Sequence, residues 1–415
     1  MQPGARATSL RNPNVPVGIV AALGLTQIIG YGTLYYSFSI LAPGMAADLG
    51  ITVTQVFAIF SASLFVGGLS APYIGRQLDG IGASTVMAVG SALSALTLIL
   101  CAWSPSVVIF ALAIVLMEIS SGMVQYQAAA FAALVEADPR SALRSITYLT
   151  LIAGFASTIF WPIATALLGY LSWREIYLVY AGLNLAICMP FHVWIMRKGK
   201  KGATSGKRLM REPVVGAIPH ERRRGAVVAV SAAFALLGFT LGAMLAHMVP
   251  MLGTLGFGSA AVVIGSLFGP AQVLSRLINM IFGARLAPPG LAVVSATFMV
   301  LSVVILALSG NWLPGAVAFS ICLGLGSGIN SIAQGSLPLY LFGSDGYGAL
   351  TGKMAAARLA AGAAAPFVFA ATMEQFGIGA SLVLSAALGS IGIAAFAAVA
   401  MATKRTLVAA PSPSN

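Results

Sequence analysis

Charge is what this sequence has least of. Only 8% of its 415 residues are Asp, Glu, Lys or Arg, while 59% are hydrophobic. A water-soluble domain carries about 25% charged residues. A fold of the present composition could not cover its surface with polar groups, and lipid as solvent removes that need, so the chain reads as a membrane protein. Cysteine is nearly absent as well. Cys101, Cys188 and Cys322 fall inside apolar runs at spacings that suit neither a metal site nor a disulfide framework. No paired Asp clusters, no zinc-protease arrangement of His192, His220 and His247, and no phosphate-cradling glycine loop occur. These absences argue against a membrane enzyme and an ATP-driven pump, and neither tail is long enough for a receptor module. No catalytic residue, metal or cofactor is expected.

Long apolar runs are abundant. About twelve occur, roughly 17–42, 53–75, 84–103, 106–128, 145–170, 175–196, 225–249, 259–283, 291–309, 312–334, 347–370 and 378–402. Each is near the ~20 residues that cross a ~30 Å hydrocarbon layer as a helix. Their continuity selects helices over a barrel of alternating strands. A gap from Arg197 to Arg224, with ten Lys and Arg against Glu212 and Glu221, divides them six and six. The expected fold is an all-α membrane protein of 12 transmembrane helices in two six-helix pseudo-symmetric halves. Residues 1–196 form the first half, 197–224 a basic linker, 225–403 the second half and 404–415 a tail.

The net charge of +12 is unevenly placed. Arg76, Arg140, Arg144, the central cluster, Arg285, Lys404 and Arg405 fall on one side. Asp48, Arg174, Glu175 and Glu374 fall on the other. The positive-inside rule then puts both termini in the cytoplasm and removes the case for a nucleic-acid partner. The polar first sixteen residues, with Arg6 and Arg11, read as a cytoplasmic tail rather than a cleaved signal. Short loops, alanine-rich spans and the lack of an Asn-X-Ser/Thr acceptor point to a bacterial inner membrane, with the chain acting as a monomer.

The halves repeat weakly. Gly75, Leu78 and Gly82 follow the second run; Gly283, Leu286 and Gly290 follow the eighth, 208 residues later. Pro43 with Leu49-Gly50 ends the first run, and Pro250 with Leu255-Gly256 ends the seventh. Paired halves of this kind build transporter sites at their interface.

The stretch Gly75-Arg76-Gln77-Leu78-Asp79-Gly80-Ile81-Gly82 resembles the loop signature of the major facilitator superfamily. The Ser172-Trp173-Arg174 corner resembles the Trp-Arg element common there. The basic residues expected after Asp79 are missing, and the second-half copy has Ala287 in place of the acid. Gly75 and Gly82 permit a tight turn and close helix approach. Asp79 can accept hydrogen bonds from a neighbouring helix N-terminus or pair with a basic group, latching the halves, or can be a plain solvated loop acid. The resemblance favours the latch and so implies gating by Asp79, Gly75 and Gly82.

Intramembrane charges are the best functional pointers, because each is costly unless paired or wetted. They are Glu118, Arg276, Lys353 and Arg358, on spans that the resemblance implies are cavity-lining. Gln272 and Arg276 share a helix face, and a guanidinium can hold a carboxylate in a two-pronged bond. The pair is similar to the polar-residue-then-Arg pair of monocarboxylate transporters, with Gln272 where their proton-coupled animal members carry an acid. A structural Arg, bonded to backbone carbonyls or Glu118, is the plainer reading. Arg358 is a second anion candidate, and Lys353 can snorkel to the interface. Glu118 reads either as a proton carrier or as a permanent counter-ion. Gln27, Tyr31, Tyr35 and Phe38 fall on one helical stripe, joined by Gln125 and Tyr126 from the fourth span. Tyr31, Tyr35 and Gln125 are thus substrate-binding candidates, with packing the alternative. His247, just before Pro250, is a gating candidate or a plain interfacial His, while His192 and His220 read as peripheral.

The expected function is secondary active transport of a small organic solute by alternating access. An anion such as a carboxylate, with a co-transported proton, is the first choice. Export of drugs or toxic compounds and import of a vitamin-like aromatic solute are the alternatives.

Overall fold

The computed structural model describes residues 15–125, 129–204, 214–258, 260–282 and 286–409. They are helical almost throughout, and the β pairing among them is one isolated bridge, Val215 with Gly343. Six spans precede the basic linker. They are Val17–Leu49, Val53–Ile81, Ala83–Ala102, Val107–Gly122 with a tail Phe131–Ala137, Ala142–Ala153 continued by Ala156–Leu168, and a sixth from Trp173 to Thr204. Six follow it: His220–Leu252, Ala260–Ser266 continued by Phe268–Phe282, Pro288–Ser309, Leu313–Phe342, 347–376 and 378–409. They are called spans one to twelve. Most run past the hydrophobic limits read from sequence, because a helix need not stop where the hydrocarbon does. Gly283, Arg285, Tyr126 and Glu212 lie outside the described residues.

Local chemistry sets the ends. Thr52 and Gln55 form a reciprocal capping box on span two, and Ser172 with Glu175 does the same on span six. Gly50 and Gly256 close spans one and seven at φ 65° and 95°, so this repeat pair is structurally equivalent. Gly82 has φ 90°, whereas Gly290 lies inside span nine, so that pair is not. Large apolar side chains such as Val108 and Leu112 are exposed, as expected for a lipid-facing surface.

Each half has its own core. One cluster, including Phe234, Phe319, Phe369 and Phe396, lies wholly in the second half, and another, including Phe110, Trp173 and Tyr177, wholly in the first. A third gathers the linker-side ends of the first six spans and adds Leu339 and Tyr347 from the second half. The halves therefore join at the end that carries the basic linker.

The seam there is built from missing side chains. A β-carbon at Gly75 would strike the Gly348 carbonyl, and one at Gly352 would come within 2.5 Å of the Ala71 carbonyl oxygen. Further along span two, a β-carbon at Gly68 would meet Leu359 at 2.8 Å. Backbones can approach this closely only where both faces are small. Asp79 then crosses the seam: its carboxylate oxygens accept from the N–H groups of Gly348 (2.8 Å) and Ala349 (2.7 Å) in the first turn of span eleven. A carboxylate there satisfies donors that have no intrahelical partner and complements the helix dipole.

Within the first half, Asp48 Oδ2 accepts from Trp173 Nε1 and from Arg174 Nε, at 2.9 and 3.0 Å. Arg174 also donates to the carbonyls of Ala102 and Ser104. The sequence placed these residues in the same set of loops without pairing them. The peripheral reading of His192 is overturned: it is 1% exposed and wedged between Ser91 and Thr26 at 2.8 and 3.0 Å, tying spans one, three and six.

Two substitutions test the seam. Asp79→Ala should lower stability by about 1 kcal/mol, the usual cost of a lost N-cap. Gly352→Leu should part the spans, so that a cysteine placed at Ala71 reacts faster with a thiol reagent. Unchanged labelling in Gly352→Leu would show that the glycines do not set the closure.

Candidate functional site

Span ten carries polar residues at Ser327, Asn330, Ser331 and Gln334, spaced three, one and three apart and so on one helical face. Glycines bring span eight onto it: a β-carbon at Gly324 would meet Ala271 Cβ at 2.8 Å, and one at Gly328 would strike Ser275. Two rungs form across this contact. Gln272 Nε2 donates to Ser327 Oγ at 2.9 Å, and Arg276 Nε donates to Ser331 Oγ at 3.1 Å. The helix-face pairing of Gln272 and Arg276 is thus present in the fold, with both residues turned toward span ten.

Arg276 is 4% exposed. Its Nη1 reaches out of the second half and lies against Gly154 of span five, where a β-carbon would strike it. Span five is interrupted at Gly154–Phe155, between its two helical pieces. The guanidinium therefore sits between the halves, positioned by span ten on one side and by a glycine of the other half. No carboxylate pairs with it among the described residues, and the alternative of an Arg276–Glu118 ion pair is not what forms.

Glu118 is 7% exposed and lies within the first half, with its Cβ 3.3 Å from where a β-carbon at Gly67 of span two would be. Its Oε1 has no hydrogen-bond partner among the described residues. The neighbouring Gly68 faces span eleven, so span two stands between Glu118 and its own seam contact with Leu359.

The remaining candidates are dispersed. Span one takes a wide π turn at Gly32–Tyr36, which breaks the stripe expected of Gln27, Tyr31, Tyr35 and Phe38. Gln27 is buried and donates to the Val124 carbonyl, and Phe38 stacks on Phe60 with centroids 4.1 Å apart. Tyr31 is buried at 7%, whereas Tyr35 is 39% exposed, edge-on to Tyr36 and 5.7 Å from Phe60. Gln125 donates to Ser121 of its own span. Arg358 is half-buried and packs its Cγ against Gly238 of span seven. It lines a crevice of about 10 Å³ with Phe234, Gln334 and Thr351, room for about one water. His247 bonds the Pro366 carbonyl at 2.9 Å and stacks on Phe369, joining spans seven and eleven within one half.

Comparison with known proteins bears on this arrangement. A model of the Major Facilitator Superfamily matches residues 23–366. The chain belongs to this superfamily. Solved structures with the same fold include the human organic anion transporter MFSD10, at TM-score 0.69 and 16% identity, covering 92% of this chain and 99% of that one. The proton:xylose symporter XylE, bound to 6-bromo-6-deoxy-D-glucose, matches at 0.70 and 13%, covering 92% and 95%. FucP in the outward conformation matches at 0.68 and 14%, covering 91% and 97%. A search of curated proteins finds no significant match. The chain is therefore a multi-pass membrane transporter of this superfamily.

The superfamily's loop signature has a structural counterpart beside it that the sequence reading missed. Glu136, at the end of span four, accepts from the Ala83 N–H at 2.9 Å and caps span three next to Gly82. The second-half copy lacks this chemistry: Ala287 precedes span nine with no side-chain cap. The span-ten stripe and Gly154 were also missed. The stripe's spacing was legible in sequence; Gly154 gave no local signal, because its importance comes from Arg276 reaching it.

A double-mutant cycle tests the cross-half contact. Gly154→Ala should destabilise the wild type, and should cost much less in an Arg276→Ala background, with a coupling of roughly 0.5–3 kcal/mol. Additive effects in thermal unfolding would show that Arg276 does not rest on Gly154.

Proposed function

We propose that this transporter is a secondary carrier of a small organic anion, such as a carboxylate, working by alternating access between residues 1–196 and 225–403. The observation that carries the reading is Arg276, a buried guanidinium at the junction of the halves with one hydroxyl partner and no carboxylate beside it among the described residues. Leaving a buried charge uncompensated is expensive. A substrate carboxylate would supply the missing charge and accept the fork of N–H groups. Because Gly154 and Ser331 belong to different halves, a ligand on Arg276 senses how the halves are set. Differential binding of that kind is what biases a two-state exchange.

Gln272 and Ser327 would extend the polar wall, and the exposed ring of Tyr35 would cover an apolar part of the solute. Arg358, Gln125 and Tyr31 are assigned supporting places in the same pathway. Asp79, Gly75 and Gly82 would hold the linker-side closure, with His247 steadying the opposite end of the second half. Both termini would face the cytoplasm, in a bacterial inner membrane and in a monomeric carrier, with no catalytic step. The named neighbours include both an organic anion transporter and a proton:xylose symporter, so the fold serves either chemistry; the Arg276 cation between the halves favours an anion.

Glu118 supports proton symport. A buried carboxyl oxygen without a partner is tolerated far more easily when the group is neutral, so a proton taken up there would accompany the substrate. The exposed ring of Tyr35, backed by the buried Phe60, favours a solute with a ring, which keeps a vitamin-like import substrate, or an exported aromatic drug, as the second reading.

Flux of labelled mono- and dicarboxylates into proteoliposomes tests the proposal. Arg276→Ala should abolish saturable transport while the protein stays folded, and Arg276→Lys should retain only part of it. Wild-type kinetics in Arg276→Ala would reject the anion site. A ligand at a hundred times its Kd should also stabilise the protein by about 2.7 kcal/mol. Stabilisation by neutral or cationic drugs alone would favour export.

A second measurement addresses coupling. Glu118→Gln should eliminate accumulation driven by a proton gradient while leaving substrate exchange intact. Gradient-driven accumulation that persists in this variant would remove Glu118 from the proton path.

A further inference from the structure

A second cationic site lies beside the seam, at the linker end and apart from Arg276. The first turns of spans seven and eleven enclose a groove of about 470 Å³. Arg223, Arg224 and Lys353 supply its charge, and Val227, Val228 and Leu350 its apolar wall. Among the described residues, no acidic side chain lines it. The Arg223 guanidinium lies over the Phe342 ring at 5.7 Å, which holds it in place from one face. Arg224 and Lys353 are exposed, and none of the three cations forms an ion pair among the described residues.

The order of these residues along the helix matters. Val227 and Val228 lie four residues, about one turn, deeper than Arg223 and Arg224, on the same faces. Val228 is 63% exposed. Charge at the helix start and exposed hydrocarbon one turn further in match the layering of a phospholipid. Lys353 is deeper in span eleven, and its long stem allows the ammonium to rise to the headgroup level.

We propose that this groove binds an anionic phospholipid of the leaflet at the linker end. Its phosphate would sit among Arg223, Arg224 and Lys353, and an acyl chain would run over Val227 and Val228. A free anion would gain nothing from the exposed valines, and a zwitterionic lipid would bring a positive group to three cations, with the nearby Asp79 carboxylate already accepting from Gly348 and Ala349. Basic residues at the membrane surface attract anionic lipid in an additive, salt-sensitive way.

The test uses the full-length protein purified in neutral detergent, titrated with mixed micelles of phosphatidylglycerol or phosphatidylcholine and read by thermal stability. Phosphatidylglycerol should raise the Tm of the wild type, less so at high salt, and phosphatidylcholine should not. Arg223→Gln with Arg224→Gln and Lys353→Gln should weaken the response on the order of tenfold or more. Arg197→Gln with Lys198→Gln, at exposed positions on the same end, should leave it unchanged. If the triple variant does not fold, Lys353→Gln alone should show a several-fold weakening. Inorganic phosphate should not replace the lipid. A full phosphatidylglycerol response in the folded triple variant, or in Lys353→Gln, would overturn the site. An equal response to phosphatidylcholine, or to inorganic phosphate, would do the same.

Discussion

The architecture depends on how closely two helical backbones can approach. Spans two and eleven meet without side chains at Gly75, Gly348 and Gly352, and any β-carbon there would collide with a carbonyl of the opposite half. In a membrane the hydrophobic effect does not press helices together, so contact area and hydrogen bonds must do so. The glycines supply the contact area. They also bring the first turn of span eleven to Asp79, which could not otherwise accept from two N–H groups of another half. A single acid thus works as a helix cap in trans, and it can do so in only one relative setting of the halves.

The contrast between the seam and the halves explains how such a molecule can move. Each half is locked internally by a dry core and by side-chain ties such as Asp48 with Arg174 and His192 with Thr26 and Ser91. At the seam, spans two and eleven meet through backbone contact and one carboxylate, beside the apolar packing of Leu339 and Tyr347 on the first half. Packed units of this kind switch between discrete arrangements rather than deforming continuously. Arg276 lies between the halves, hydrogen-bonded to its own half and resting on a glycine of the other. On the proposed reading, its charge would give an anionic solute a reason to bind, and its position would link binding to the setting of the halves.

Much of this was legible in sequence. Twelve apolar runs, the basic divide and the Gly75–Asp79–Gly82 loop led to the fold, and the energetic cost of buried charge pointed to Arg276 and Glu118. The failures share one cause. Helical periodicity assumes an unbroken helix, and the π turn at Gly32–Tyr36 changes the register between Gln27 and Phe38, with Tyr31 buried and Tyr35 exposed. A residue's neighbours across the bundle leave no mark on its own segment, so His192 read as peripheral and Gly154 went unnoticed. Glu136 was overlooked because a capping acid 53 residues from the helix it caps has no local signature.

The sequence by itself determined what the solvent must be, how many helices cross it, which end is basic and which few charges lie within it. Those follow from composition and one-dimensional spacing, because the cost of placing a group in hydrocarbon is a property of the group. Only the tertiary structure decided which charges have partners. It left Arg276 at the junction and Glu118 inside one half, and turned Asp79 from a loop acid into the cap of a distant helix. Those outcomes depend on angstrom-scale distances between segments far apart in the chain, which no residue carries alone.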